Sequence, residues 1–242
     1  MERAHTHTHM KKHIPNMITC CNLLYGAVAV FLATQNCFAY AFLFILAGAF
    51  FDFFDGMVAR KLGVSGPLGI QMDSLADDIT FGLAPAMMVF CFLKPIIGWW
   101  ALIALLMAAF SALRLGKFNI DERQHLGFIG LATPANAIFW GGICSMPYAL
   151  TAPTWMPWTL LAITLLSDYL LVCEIPFFSF KSQDRSWKAN KIRYIFLIGC
   201  IILIGFAIWE AVRYEQPVFV LFSGTACILW YVIINLIFHK QL

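Results

Sequence analysis

The stretch Asp52–Asp78, DFFDGMVARKLGVSGPLGIQMDSLADD, sets five carboxylates, Asp52, Asp55, Asp73, Asp77 and Asp78, between the apolar runs FLFILAGAFF (Phe42–Phe51) and FGLAPAMMVF (Phe81–Phe90). An ionised aspartate in hydrocarbon is costly unless water or partners accompany it, so acids in such a setting are rare and functional. Arg60 and Lys61 close one helix, and Gly66-Pro67 opens the next, as glycine after a helix and proline at its first turn commonly do. The stretch therefore reads as a helical hairpin in a membrane, with acids on both arms.

Working outward, the composition agrees with that solvent. The 242 residues are 61% hydrophobic and only 12% charged, about half the charge expected of a soluble domain. Apolar runs near residues 15–34, 38–61, 67–93, 96–117, 130–150, 156–175, 192–212 and 217–238 are each of a length that crosses hydrocarbon, about 20 residues. The expected fold is an all-α polytopic membrane protein of about eight transmembrane helices. The first run lacks a small-residue cleavage site and is expected to stay as a helix.

With both termini cytoplasmic, this count puts every one of the 16 basic residues except Lys94 and Arg213 on the inner side, the asymmetry that orients membrane proteins. The net charge of +3 is thus explained by topology, and no nucleic-acid binding is expected. The eight cysteines form no CxxC pair and indicate neither a zinc site nor a disulfide framework. Trp99, Trp100, Trp155 and Trp158 are expected at the outer boundary.

Helical geometry groups the acids. At ~100° per residue, with Asp52 at zero, Asp55 lies near −60°, Gly56 near +40°, Ala59 near −20° and Arg60 near +80°. On the next helix Gly69 and Asp77 flank Asp73 within about 40°, whereas Asp78 swings to about 140°. Antiparallel neighbours can close Asp52, Asp55, Asp73 and Asp77 on one site in the cytoplasmic half of the bilayer. Four carboxylates together repel unless cations intervene, and hard divalent ions with oxygen ligands are the usual solution. Gly56, Ala59 and Gly69 would serve close helix packing equally well. Beside Arg60 the same smallness admits a bulky ligand whose phosphate pairs with the guanidinium.

The run Asp52-x2-Asp55-Gly56-x2-Ala59-Arg60-x8-Gly69-x3-Asp73-x3-Asp77 resembles, without departure, the signature of the CDP-alcohol phosphatidyltransferases, D-x2-D-G-x2-A-R-x8-G-x3-D-x3-D. The resemblance implies an integral membrane enzyme that moves a phosphatidyl-type group from a CDP-linked donor to an alcohol and releases CMP. It implies that Asp52, Asp55 and Asp73 ligate a divalent metal pair, Mg2+ or Mn2+. Asp77 would complete that site and act as the base, and Gly56, Ala59, Arg60 and Gly69 would line the CDP-lipid pocket. A homodimer is implied as well. Thr19 and Asn22 share a face of the first helix at the same depth and are expected to touch the nucleotide, although interhelical hydrogen bonding would also explain them.

The segments IPNMITCCN from Ile14, MDSLADDITFGLAPA from Met72, RLGKFN from Arg114, FIGLATPANA from Phe128 and PFFSFK from Pro176 are similar to those of phosphatidylserine synthases. CDP-diacylglycerol and serine are then the implied substrates, with Arg114, Lys117 and Asn119 at the acceptor. Gly116, Lys117 and Ala132 depart from the pattern, and Asp78 is an extra acid. Glycerol 3-phosphate, an inositol derivative or choline are the alternative acceptors. A cation transporter would also explain buried acids, but not Arg60 and the small residues at this spacing. The resulting division is an interfacial segment (1–14), catalytic helices (15–180), a basic cytoplasmic loop (181–191) and two additional helices (192–238), in what reads as a bacterial cytoplasmic membrane with the site facing inward.

Overall fold

A computed structural model describes residues 2–64, 66–121, 128–146, 153–178 and 187–238. The order is α1 (Glu2–Thr34), α2 (Phe38–Leu62), α3 (Pro67–Asp77), a π-helical turn (Asp78–Leu83), α4 (Ala84–Ile97), a 3-10 segment (Gly98–Leu105), α5 (Leu106–Ile120), β1 (Phe128–Ile129), α6 (Thr133–Cys144), α7 (Met156–Val172), β2 (Pro176–Phe177), α8 (Trp187–Tyr214) and α9 (Val218–Phe238). Five continuous helical stretches are long and apolar enough to cross a membrane: His13–Thr34, Phe38–Leu62, Pro67–Ile120, Asn190–Tyr214 and Val218–Phe238.

Each reversal has a local cause. Between α1 and α2, Asn36 adopts φ 59°, a left-handed conformation that asparagine tolerates better than most residues. α2 ends on Gly63 at φ 62°, and the Val64 N–H returns to the Ala59 carbonyl at 3.2 Å, closing the helix as a Schellman turn does. Arg60 and Lys61 sit in that last turn, where cations offset the negative end of the helix dipole. Pro67 then starts α3 behind an extended Gly66. The 54-residue stretch Pro67–Ile120 is itself a hairpin. Asn119 donates to Ser74 at 2.8 Å, and a Cβ on Gly82 would lie 2.7 Å from the Ser111 hydroxyl. Both pairs centre on residues 96–97, just before Gly98 at φ 61°.

The π turn follows the acids directly. Pro85, in the first turn of α4, has no N–H for the Phe81 carbonyl and its ring crowds it, so the ladder widens there. That turn carries Thr80, fully buried, whose hydroxyl donates to the Asn22 carbonyl at 3.0 Å. A Cβ on Gly48 would come within 2.6 Å of Thr80 Cγ2, and one on Gly26 within 2.8 Å of Thr80 Cα. Three helices thus meet at their smallest residues, as membrane helices that gain nothing from hydrophobicity must.

The second half departs further from expectation. α6 has 12 residues, about 18 Å of rise against a hydrocarbon core of about 30 Å, so it begins later than the expected span at 130. Gly130 at φ 75° interrupts any helix there, and Phe128–Ile129 pair antiparallel with Pro176–Phe177. The all-α expectation is therefore amended by one two-residue ladder, which also ends the 156–175 helix early, at Val172. α8 begins inside the expected 181–191 loop, at Trp187, with a break at Asn190 (φ −117°). Lys181 and Arg185, like Arg123 and Lys240, lie outside the described residues. Residues 2–12 of the expected N-terminal segment continue α1.

The main core, including Phe42, Ile45, Phe81, Met88 and Trp140, binds α1, α2, α4, α5 and α6 together. Exposed Trp99, Trp100, Trp155 and Trp158 gather at the end opposite the Gly63–Gly66 turn, with Trp100 and Trp158 in ring contact at 6.4 Å. Lys94 lies over Trp99 at 4.9 Å at that end, and Arg213 over Trp209 at 5.1 Å.

Candidate active site

α2 and α3 bring the acids together as their helical phase requires. Oxygens of Asp52, Asp55 and Asp73 all lie within 4.8 Å of one another, a group that could hold a metal ion. The Asp52 carboxylate is also within hydrogen-bonding reach of Asp73 and Asp77. α1 supplies the support: Thr19 donates to Asp55 at 2.6 Å, and Asn22 Nδ2 donates to Asp77 Oδ1 at 3.0 Å. Asp73 Oδ1 is buried with no hydrogen-bond partner among the described residues. Four carboxylates this close, one with an unsatisfied oxygen, fit hard divalent cations with oxygen ligands. Asp78 stands apart, facing Ser111 across Gly82.

A cavity of about 170 Å³ opens beside the acids, lined by Thr19, Asp55, Gly56, Ala59, Arg60, Gly69 and Asp73. The expected CDP-lipid residues are all on its wall except Asn22, which is fully buried and holds Asp77 and Thr80 instead. Pro15, Asn16, Val64, Gly66 and Ile70 complete the wall. A Cβ on Gly69 would sit 3.5 Å from Asn16 Oδ1, and one on Gly56 3.4 Å from the Arg60 guanidinium. Both glycines therefore keep volume open rather than filling a tight helix contact. Gly56→Val should raise KM for a CDP-linked lipid by at least about tenfold, the effect of one or two methylenes against a bound ligand. Thermal stability should change little; steady-state kinetics with a melting curve of the purified variant checks both.

On the other side of the acids, α5 presents Arg114. It is 6% exposed, bonds Thr133 Oγ1 at 3.4 Å and lies over the Phe118 ring at 5.8 Å. Its Nε has no hydrogen-bond partner among the described residues, and it is close enough to Asp77 for their charges to interact. A second, narrow cavity of about 30 Å³ joins Arg114 to Lys117, Asp121, Ile129 and Leu171–Glu174, at and just beyond the end of α7. Asn119 lies in neither cavity, being engaged with Ser74 on α3. Asp121 carries no signal in the motifs, and Glu174, which the sequence suggests only as a local partner for basic residues, lines this cavity instead. Asp121 follows Lys117 by one helical turn and was within reach of a periodicity argument, whereas Glu174 arrives from a segment more than 50 residues away. Asp168 is 1% exposed with neither carboxylate oxygen hydrogen-bonded to a described residue.

The comparisons with known proteins fall on this site. The family model described as CDP-alcohol phosphatidyltransferase matches residues 12–166. A Bacillus subtilis protein named CDP-diacylglycerol--serine O-phosphatidyltransferase is 38% identical over 174 residues, 71% of this chain and 93% of its own length. A Methanocaldococcus jannaschii protein of the same name is 32% identical over 195 residues, 79% of this chain and 84% of its own. One from Helicobacter pylori is 33% identical over 127 residues, covering about half of each chain. The acids, the small-residue cavity and the matched segment coincide, and this chain belongs to the CDP-alcohol phosphatidyltransferase family.

Proposed function

We propose that this protein transfers the phosphatidyl group of CDP-diacylglycerol to the hydroxyl of L-serine, giving phosphatidylserine and CMP. The observation that carries the choice of acceptor is the mixed charge of the narrow cavity, whose lining includes both Arg114 and Lys117 and Asp121 and Glu174. A free amino acid carries a carboxylate and an ammonium a few ångströms apart. Arg114 and Lys117 would take the first, with Arg114 offering an Nε that no described residue engages, and Asp121 and Glu174 the second. The acid pair disfavours glycerol 3-phosphate, whose phosphate it would repel. Choline has no group for the two cations. Relatives named for serine support the same reading.

In this reading Asp52, Asp55, Asp73 and Asp77 hold two divalent ions, Mg2+ or Mn2+. When bound, the ions neutralise the diphosphate and the charge that builds on departing CMP. Arg60 pairs with a donor phosphate, Gly56, Ala59 and Gly69 leave room for the cytidine end, and Thr19 orients Asp55. Asp77, oriented by Asn22, accepts the proton of the serine hydroxyl. The serine oxygen then forms its bond to the lipid-bearing phosphorus as the bond from that phosphorus to the CMP oxygen breaks. Positioning and electrostatics carry most of the work in such displacements. The catalytic helices are residues 15–180, the protein lies in a bacterial cytoplasmic membrane with both termini and the site inside, and it acts as a homodimer.

The test is a panel of acceptors offered with CDP-diacylglycerol and Mg2+ or Mn2+ to the purified protein. CMP release should require serine, and the product lipid should comigrate with phosphatidylserine. Release with glycerol 3-phosphate, inositol derivatives or choline and none with serine would overturn the acceptor and leave the reaction class standing.

A further inference from the structure

The family match ends at residue 166, yet α9 reaches back to the segment that follows the wall of the narrow cavity. The Tyr231 hydroxyl donates to the Phe178 carbonyl at 3.0 Å, and the Phe178 N–H donates to Asn235 Oδ1 at 2.8 Å. Asn235 Nδ2 is anchored in turn on the Tyr231 carbonyl at 2.7 Å. Both backbone groups of one residue outside any helix are thus held by side chains one turn apart on α9. Asn235 is fully buried and Tyr231 8% exposed, in a position where an unmade hydrogen bond is expensive. Phe177 and Phe178 pack on the Tyr231 ring at 5.5 and 4.9 Å.

Phe178 ends the segment that walls the cavity. Pro176–Phe177 pair with Phe128–Ile129. The Gly130 N–H reaches the Ile175 carbonyl at 2.9 Å, and the Leu131 N–H the Leu170 carbonyl at 2.8 Å. Ile129 and Leu171–Glu174 line the cavity itself. The Tyr231 hydroxyl also lies close enough to Arg114 for the two to interact electrostatically. A bilayer-anchoring hairpin would need only α8's lipid-exposed surface and the tight contact of Gly199 with Trp230; nothing in that role calls for two polar side chains converging on one peptide unit.

We infer that α9 is part of the acceptor site, with Tyr231 and Asn235 acting as positioning residues that fix the 171–178 wall and Glu174 against Arg114 and Lys117. The inference rests on the acceptor reading above. Without this clamp the wall is held to the first half of the molecule by the two-residue ladder and its flanking bonds, too little to keep carboxylates and cations at the spacing of a small zwitterion.

The experiment compares Tyr231→Phe, Asn235→Ala and, as a control on the exposed face of α9, Ile237→Ala, in steady-state assays varying serine and CDP-diacylglycerol separately. Tyr231→Phe removes one oxygen and retains the ring contacts, so it tests the clamp even if Asn235→Ala does not fold. Tyr231→Phe should raise KM for serine about tenfold, the loss expected for one buried hydrogen bond, with KM for CDP-diacylglycerol unchanged; Asn235→Ala should do at least as much. Ile237→Ala should match the wild type. Unchanged KM for serine in Tyr231→Phe, or an equal rise for both substrates, would overturn the inference. If the wild-type protein turns over only with another acceptor, the serine reading has failed, and the same KM split measured with that acceptor still decides the role of α9.

Discussion

Asp77→Asn is expected to abolish turnover, by at least about a thousandfold, within the range that a positioned general base contributes. The replacement is nearly isosteric. The asparagine Oδ1 can still accept from Asn22, whose amide lies 3.0 Å from the Asp77 oxygen, so the junction of α1 with α3 survives. The proton-accepting carboxylate does not. Binding of CDP-diacylglycerol, read by equilibrium titration in detergent, should therefore stay within a few-fold of wild type while CMP release disappears. Asp78→Asn is the paired control. Its carboxylate faces Ser111 across Gly82 on the far side of the helix, and its loss should cost only a few-fold. Retained activity in Asp77→Asn would exclude it as the base, and a loss in Asp78→Asn as deep as that in Asp77→Asn would mean that the site extends around the helix.

Chelation of divalent cations is expected to have an effect as large. With oxygens of Asp52, Asp55 and Asp73 within 4.8 Å of one another and Asp77 alongside, removing the ions leaves like charges to repel or protonate. Excess EDTA should stop CMP release completely, and Mg2+ or Mn2+ in excess of the chelator should restore it. A structural consequence follows from mass action, since a ligand that binds only the folded state stabilises it. The thermal midpoint should rise with Mg2+ or Mn2+ in wild type, and the rise should shrink in Asp52→Ala and Asp73→Ala. Activity undiminished by EDTA together with a midpoint indifferent to metal would remove the divalent-ion reading of the acids.

The acids, the cavity glycines and Arg60 were legible because they obey short-range geometry. Positions three and four apart on a helix share a face whatever surrounds them, so the spacing of Asp52 to Ala59 and of Gly69 to Asp77 fixed their phase. The Gly63–Gly66 turn fixed their antiparallel approach, and the off-face position of Asp78 followed from the same arithmetic. The limits of α6 were not legible in this way. Apolar residues face lipid as readily as they face other helices, so periodicity carries little information there. Gly130, at φ 75°, leaves the helical region of backbone space beside a hydrogen-bond partner, Ile175, that lies 45 residues on.

What the sequence by itself determined is the solvent, the helical hairpins and one acidic face, all set by composition and by contacts within a few residues. Only the tertiary structure decided which side chains from elsewhere meet that face. Thr19 and Asn22 proved to hold the carboxylates from α1, Arg114 to stand behind Asp77, and Asp121 and Glu174 to share its cavity. Tyr231 and Asn235 came from α9 to the loop that closes it. These meetings join residues from tens to more than a hundred positions apart. They are set by how the helices pack, and no local spacing encodes them.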